Sequence, residues 1–252
     1  MLFRKEPSAF EVYNDANSDL VNLFRAVREQ PEQLIRRLEF VLNAKQDFDE
    51  TAKALKEPLE LGATDTRRAA QYYQLIKQSY GGKTSSFGCQ PTNMWATFPM
   101  IRQTAHRLQN VIIEHRDFEK LIGIYDRPES FFYLDPPYYG TEDYYRGVGF
   151  TKQDHERLAN CLACLQGKFL LSYNAAQEII GLYQRLPNVY MERISRPNNL
   201  AARYGEGMRY DELFISNYDT ARELSQMSLW DNAAQISTKA VQEREYIWKP
   251  RR

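Results

Sequence analysis

The run Phe131-Phe132-Tyr133-Leu134-Asp135-Pro136-Pro137-Tyr138 decides how this chain is read. Four consecutive apolar or aromatic residues predict a short buried strand. Asp135 follows at its carboxyl end, where open α/β sheets gather their ligands. The two prolines remove two N–H donors and hold the backbone extended, so the Asp135 carboxylate and the Pro136 carbonyl form a site made of acceptors. Tyr138 adds a flat aromatic face. Asp-Pro-Pro is also ordinary turn chemistry, so the flanking chain must carry the rest of the reading.

Outward from this run, short apolar segments at 111–114, 168–173, 188–194 and 212–217 alternate with helical patterns, which predicts an α/β fold with a largely parallel sheet. Residues 10–14 alternate like a strand and end at a cluster of capping residues, Asp15 to Asp19, so a helix is expected from about Leu20. Pro31 fits the first turn of a second helix carrying Leu34, Leu38, Val41 and Leu42. Further helices are expected over 65–80 and 99–109, joined by a long polar loop over 81–98. Residues 219–252 read as a helical or partly disordered extension.

Composition excludes more than it assigns. The chain has 252 residues, long enough to bury a core, with 33 basic against 33 acidic side chains, so net charge alone favours no nucleic-acid partner. No stretch approaches the roughly 18 apolar residues of a membrane span, and the N-terminus lacks a signal-peptide pattern, so a cytoplasmic protein is expected. The three cysteines cannot build a disulfide framework. Cys161 and Cys164 fall on an apolar helix pattern and read as core residues, and no histidine has a second ligand at metal spacing. No metal site is expected.

The motif and its surroundings resemble the Dam-type DNA adenine-N6 methyltransferases, including their phage relatives, over roughly residues 3–218. The similarity takes in Asp154-His155-Glu156-Arg157-Leu158-Ala159, Lys168 to Asn174 and Glu212 to Tyr218, in the family's order. It implies that Asp135, Pro136, Pro137 and Tyr138 are the catalytic residues. The adenine amine is a poor nucleophile because its lone pair is delocalised. Asp135 and the Pro136 carbonyl would accept its two N–H bonds and localise that pair, and Tyr138 would stack on a base swung out of the duplex. The resemblance implies S-adenosylmethionine as cofactor, with direct in-line transfer. Asp117 and Phe118 are similar to the pair that holds its adenine ring, and Asp15 to its ribose ligand, although either aspartate could simply cap a helix. Double-stranded DNA is the implied partner, with Arg67, Arg68, Lys77, Lys83 and Arg203 as candidate contacts. Each of these could equally belong to a solvated face.

The expected architecture is therefore an incomplete Rossmann-like methyltransferase sheet: a core over 1–45 and 110–218, a helical target-recognition insert over 46–109, and an extension over 219–252. It is incomplete because the family opens with a Gly-Gly-Lys-like segment and a Phe-x-Gly-x-Gly-type turn, while the first glycine here is Gly62. The strand that precedes such a turn would lie between the strands ending at Asp15 and Asp135. A missing N-terminal segment or a partner chain could supply it. The alternative function is a truncated, catalytically inactive DNA-binding remnant. Relatives that modify protein glutamine or RNA adenine often carry Asn in place of Asp135, so the aspartate favours DNA.

Overall fold

The computed structural model describes residues 2–57, 59–82, 84–144, 148–197, 209–220, 222 and 244–248. The chain is mixed α/β and divides into two compact units, residues 1–117 and 118–252.

In the first unit, β1 (Glu11–Asn14) runs parallel to β2 (Val111–Glu114). Between them lie α1 (Ser18–Glu29), α2 (Pro31–Leu38), α3 (Lys45–Ala54), α4 (Thr66–Gln78) and α5 (Phe98–Arg107). The caps explain where the helices begin. The Asn17 side chain accepts the N–H groups of Asp19 and Leu20, and Asp65 does the same for Arg67 and Arg68. Pro31 and Pro99 occupy first-turn positions, where the missing donor costs nothing.

One apolar core joins Leu23, Ala26 and Val27 of α1, Leu34 and Leu38 of α2, Ala69 and Tyr73 of α4, and Phe98 and Ile101 of α5. Helices α4 and α5 thus share their core with α1 and α2. The expectation for α2 needs correction: the helix stops at Leu38, and Leu42 is exposed. Its carbonyl instead accepts the Gln78 side-chain amide.

The second unit holds α6 (Phe118–Tyr125), β3 (Phe131–Leu134), α7 (Lys152–Ala163), β4 (Lys168–Asn174), α8 (Gln177–Tyr183), β5 (Tyr190–Pro197), β6 (Arg209–Ser216) and β7 (Arg244–Trp248). The sheet order is β3-β4-β6-β5-β7. Only β3 and β4 are parallel, with α7 supplying the crossover such a pair requires; β6, β5 and β7 add antiparallel strands. The sheets are therefore less parallel than the alternation of elements suggests. Phe169, Leu171 and Tyr173 alternate onto the core face of β4, meeting Leu158 and Leu162 of α7 and Leu213 and Ile215 of β6. Strand β7 corrects the expectation for 244–248, whereas most of the rest of 219–252 lies outside the described residues. Its Tyr246-Ile247-Trp248 run has strand-forming side chains, and it pairs with β5.

Cys161 packs at the margin of this core, whereas Cys164 is exposed, contrary to the core reading. Among the described residues no group of side chains could hold a metal ion, and no helix is long and apolar enough to cross a membrane.

Asparagine side chains tie the loops to these elements. In each case the amide donates to the carbonyl, and accepts from an N–H, of a distant stretch of backbone. Asn14 does this to Arg116, Asn22 to Asp65, Asn43 to Thr92 and Asn174 to Tyr139. Asn217 accepts from Phe169 and donates to Gly167. Each side chain acts as a one-residue strand partner.

Glu11, buried at the start of β1, forms a two-bond fork with Arg107 of α5 at 2.6 and 2.8 Å and also binds Lys5. Arg107, followed by Lys5 and the Ser8 N–H, outweighs burial and holds the Glu11 carboxyl at about 2. A carboxyl lowered by folding stabilises the fold above its ordinary range, and that contribution is lost as pH falls toward the folded value. Urea unfolding of Glu11→Gln is expected to show a flatter dependence on pH than the parent between about pH 5 and pH 2. An unchanged slope would count against the clip.

Candidate active site

The parallel register of β3 on β4 pairs Leu134 with Leu171, so Asp135 to Tyr138 leave the sheet beside Ser172, Tyr173 and Asn174. Asn174 in turn lies opposite Glu212 on β6. Pro137 is buried, and the half-buried Tyr138 places its hydroxyl 3.2 Å from Ser172 Oγ and 3.2 Å from Glu212 Oε1. Tyr138 donates to the Glu212 carboxylate, which leaves its oxygen to accept from Ser172. The ring is thus fixed by its far end.

Asn174 fixes the next residue, accepting from Tyr139 N at 3.1 Å and donating to Tyr139 O at 3.0 Å. The chain then turns. The Tyr138 carbonyl accepts from both the N–H and the hydroxyl of Thr141, and Gly140 sits at φ 81°. A side chain at Gly140 would meet no atom within 4 Å, so the conformation, and not space, calls for glycine there.

Electrostatics single out Asp135. Partial burial, then the negative charge of Glu212, raises its carboxyl above the ordinary aspartate value. Burial likewise raises the Tyr138 phenol, which stays a donor throughout the working pH range. An exposed carboxylate followed by two prolines that carry no N–H groups is well suited to grip a planar amino group.

The other expected residues among those described have partners of their own within each unit, or lie exposed. Asp15 follows β1 and accepts from the Asn17 N–H at 2.8 Å and the Tyr13 hydroxyl at 2.9 Å, while its carbonyl meets His115 Nδ1 at 2.9 Å. Asn17, not Asp15, caps α1. Asp117 is exposed and precedes α6. The Phe118 ring packs on Phe150 and carries the Arg157 guanidinium 4.5 Å from its centre. Arg67 is exposed, and Lys77 lies over the Tyr73 ring. Arg68 is committed elsewhere: its guanidinium forks onto Asp19 at 2.5 and 3.0 Å and donates to the Glu57 carbonyl. Lys83 and Arg203 lie outside the described residues.

Sequence reasoning gave no role to Ser172, Asn174 or Glu212. The available signal was polar residues closing an otherwise apolar strand at 169–174 and an acid opening another at 212.

A sequence model of the D12 class N6 adenine-specific DNA methyltransferases matches residues 5–199. The type II methyltransferase M.CviBI of Paramecium bursaria Chlorella virus NC1A is 25% identical over 217 residues, covering 82% of this chain and 81% of its own. The type II methyltransferase M1.LlaDCHI of Lactococcus lactis subsp. cremoris is 24% identical over 227 residues, covering 82% and 79%. A solved structure from Legionella pneumophila aligns at a TM-score of 0.32 with 14% identity, over 85% of this chain and 90% of its own, which carries no weight for the fold.

Asn174→Ala would leave the Tyr139 N–H and carbonyl without their partners. Chemical denaturation is expected to show a loss of about 1–3 kcal/mol. A loss below about 0.3 kcal/mol would mean that the tether does not hold the turn.

Proposed function

Because the chain belongs to the D12 class N6 adenine-specific DNA methyltransferases, we propose that it transfers a methyl group from S-adenosylmethionine to the amine of an adenine swung out of double-stranded DNA. The observation that carries this reading is the seating of Asp135 and Tyr138 at the carboxyl end of β3, with the Tyr138 hydroxyl fixed by Ser172 and Glu212. Asp135 accepts one N–H of the amine and the Pro136 carbonyl the other, drawing the nitrogen lone pair out of the ring. Tyr138 stacks on the base, and its anchored hydroxyl keeps the ring from tilting away. Asp135 is also the acceptor closest at hand for the proton that the amine loses.

When bound, the cofactor supplies an electrophilic methyl on a positively charged sulfur. Asp15 and Asp117 suit its nucleoside part, since they follow the ends of the paired parallel strands β1 and β2. Each Asp15 carboxylate oxygen already accepts one bond and retains a second lone pair for a ribose hydroxyl. In this reading β1 with β2, and β3 with β4, are each parallel pairs of the Rossmann-like kind, and residues 46–109 form the target-recognition region. There Arg67 and Lys77 position phosphates, with Lys83 and Arg203 as further contacts. Arg68 serves that region by holding Asp19.

The test is transfer of labelled methyl groups to duplex DNA, followed by sequencing of the modified adenine. Asp135→Asn is expected to lower turnover about a hundredfold or more while DNA binding persists. DNA binding without transfer by the parent chain would favour the inactive-remnant reading.

The pH profile gives a second prediction. Asp135 works as a carboxylate, so activity falls as pH drops through its raised value. Glu212→Gln removes the neighbouring charge and is expected to move this acid limb to lower pH. No movement, or movement upward, would argue against the pairing of the two carboxyls.

A further inference from the structure

His155 is almost fully buried near the start of α7, and both of its ring nitrogens are engaged. Nε2 lies 2.9 Å from Glu142 Oε1, and Nδ1 lies 2.7 Å from the Tyr173 hydroxyl. The neutral tautomer with its proton on Nε2 satisfies both partners, donating to Glu142 and accepting from Tyr173. Tyr173, wholly buried, keeps its proton because burial, and then the charge of Glu142, raises its phenol. Burial alone would raise the Glu142 carboxyl. Bonds from its own N–H, His155 and Gly140 bring it below its ordinary value instead.

Both partners of His155 touch the segment that carries the motif. Glu142 Oε1 also accepts from Gly140 N at 3.1 Å, so one oxygen joins His155 to the turn after Tyr138. Tyr173 lies on β4 between Ser172 and Asn174, which hold the Tyr138 hydroxyl and the Tyr139 backbone. The imidazole also sits among rings, 5.3 Å from Tyr139 and 5.0 Å from Phe150. Its own place is set by the start of α7, where the Asp154 carboxylate accepts from the Thr151 N–H and hydroxyl and is held by Arg157.

We propose that Glu142, His155 and Tyr173 form a positioning chain that fixes the turn after Tyr138, so that Tyr138 and Asp135 present one rigid seat to the target base. The proposal rests on the adenine-methyltransferase reading above. It assigns no proton transfer to His155. The three residues act through the turn, and what they set is the geometry in which the amine meets the methyl donor, where displacements of about 1 Å cost on the order of a hundredfold in rate.

Glu142 allows a clean test because its bonds to His155 and Gly140 both end on a single oxygen, which glutamine can reproduce and alanine cannot. Steady-state methylation of duplex DNA by the full chain is measured for Glu142→Ala, Glu142→Gln and Tyr173→Phe, with melting temperature followed for each. Glu142→Ala is expected to lower kcat about tenfold or more while KM for DNA and for the cofactor stay within about threefold. Glu142→Gln is expected to recover kcat to within about threefold of the parent, and Tyr173→Phe to fall between the two. Parental kcat in Glu142→Ala, or a Glu142→Gln variant as slow as the alanine, overturns the proposal. So does a lowered melting temperature with unchanged turnover per folded molecule, which is the mark of a purely structural contact. A parent chain that transfers no methyl group to DNA at all overturns the underlying reading, and the proposal with it.

Discussion

The parallel pairing of β3 with β4 is the constraint on which the candidate site depends. A parallel ladder fixes which residues of one strand leave the sheet beside which residues of the other. Here Asp135 to Tyr138 leave beside Ser172 to Asn174. A slip of one residue would turn Ser172 and Asn174 to the opposite face of the sheet and bring Tyr173 round in their place. The contacts to Tyr138 and Tyr139 would then be lost together. The buried Phe169, Leu171 and Tyr173 guard against this, since the same slip would turn these three large side chains out of the core. The apolar side of β4 thus sets the register that its polar side uses.

The motif and the strand beneath it were legible in the sequence because their signal is local, although the run expected to be buried leaves Phe131 and Tyr133 exposed. An apolar run, an acid and two prolines need no distant partner to be recognised. Most element boundaries fell near their expected places for the same reason, with caps and prolines marking the ends of α1, α2, α4 and α5. What escaped depends on residues far apart in the chain. Glu212 is 74 positions from Tyr138, and nothing near it announces the contact. Arg68 reads as a free cation until the fold brings Asp19 to it across 49 residues. Leu42 fits the helical period of α2, but the helix ends one turn earlier and its carbonyl is claimed by Gln78. Strand β7 was missed because its short aromatic run sits in a polar tail, where only a partner strand gives it meaning.

The first unit is a helical bundle with a two-stranded sheet at its side, and the second builds a five-stranded sheet. Loops of both are tethered by asparagine side chains. In the first unit, partly buried ion pairs sit where a strand meets a helix or one helix meets another, as with Glu11 and Arg107 or Asp19 and Arg68.

The asparagine tethers have a consequence for how such a protein can change. A loop held by a backbone ladder is released only when several residues are altered together. One held by a single side-chain amide is released by a single substitution, because aspartate at the same position keeps the acceptor and loses the donor. The entry to α4 and the approach to Asp117 are held in this way. The sheet and helix cores can therefore stay constant while individual loops are freed and re-fastened one codon at a time.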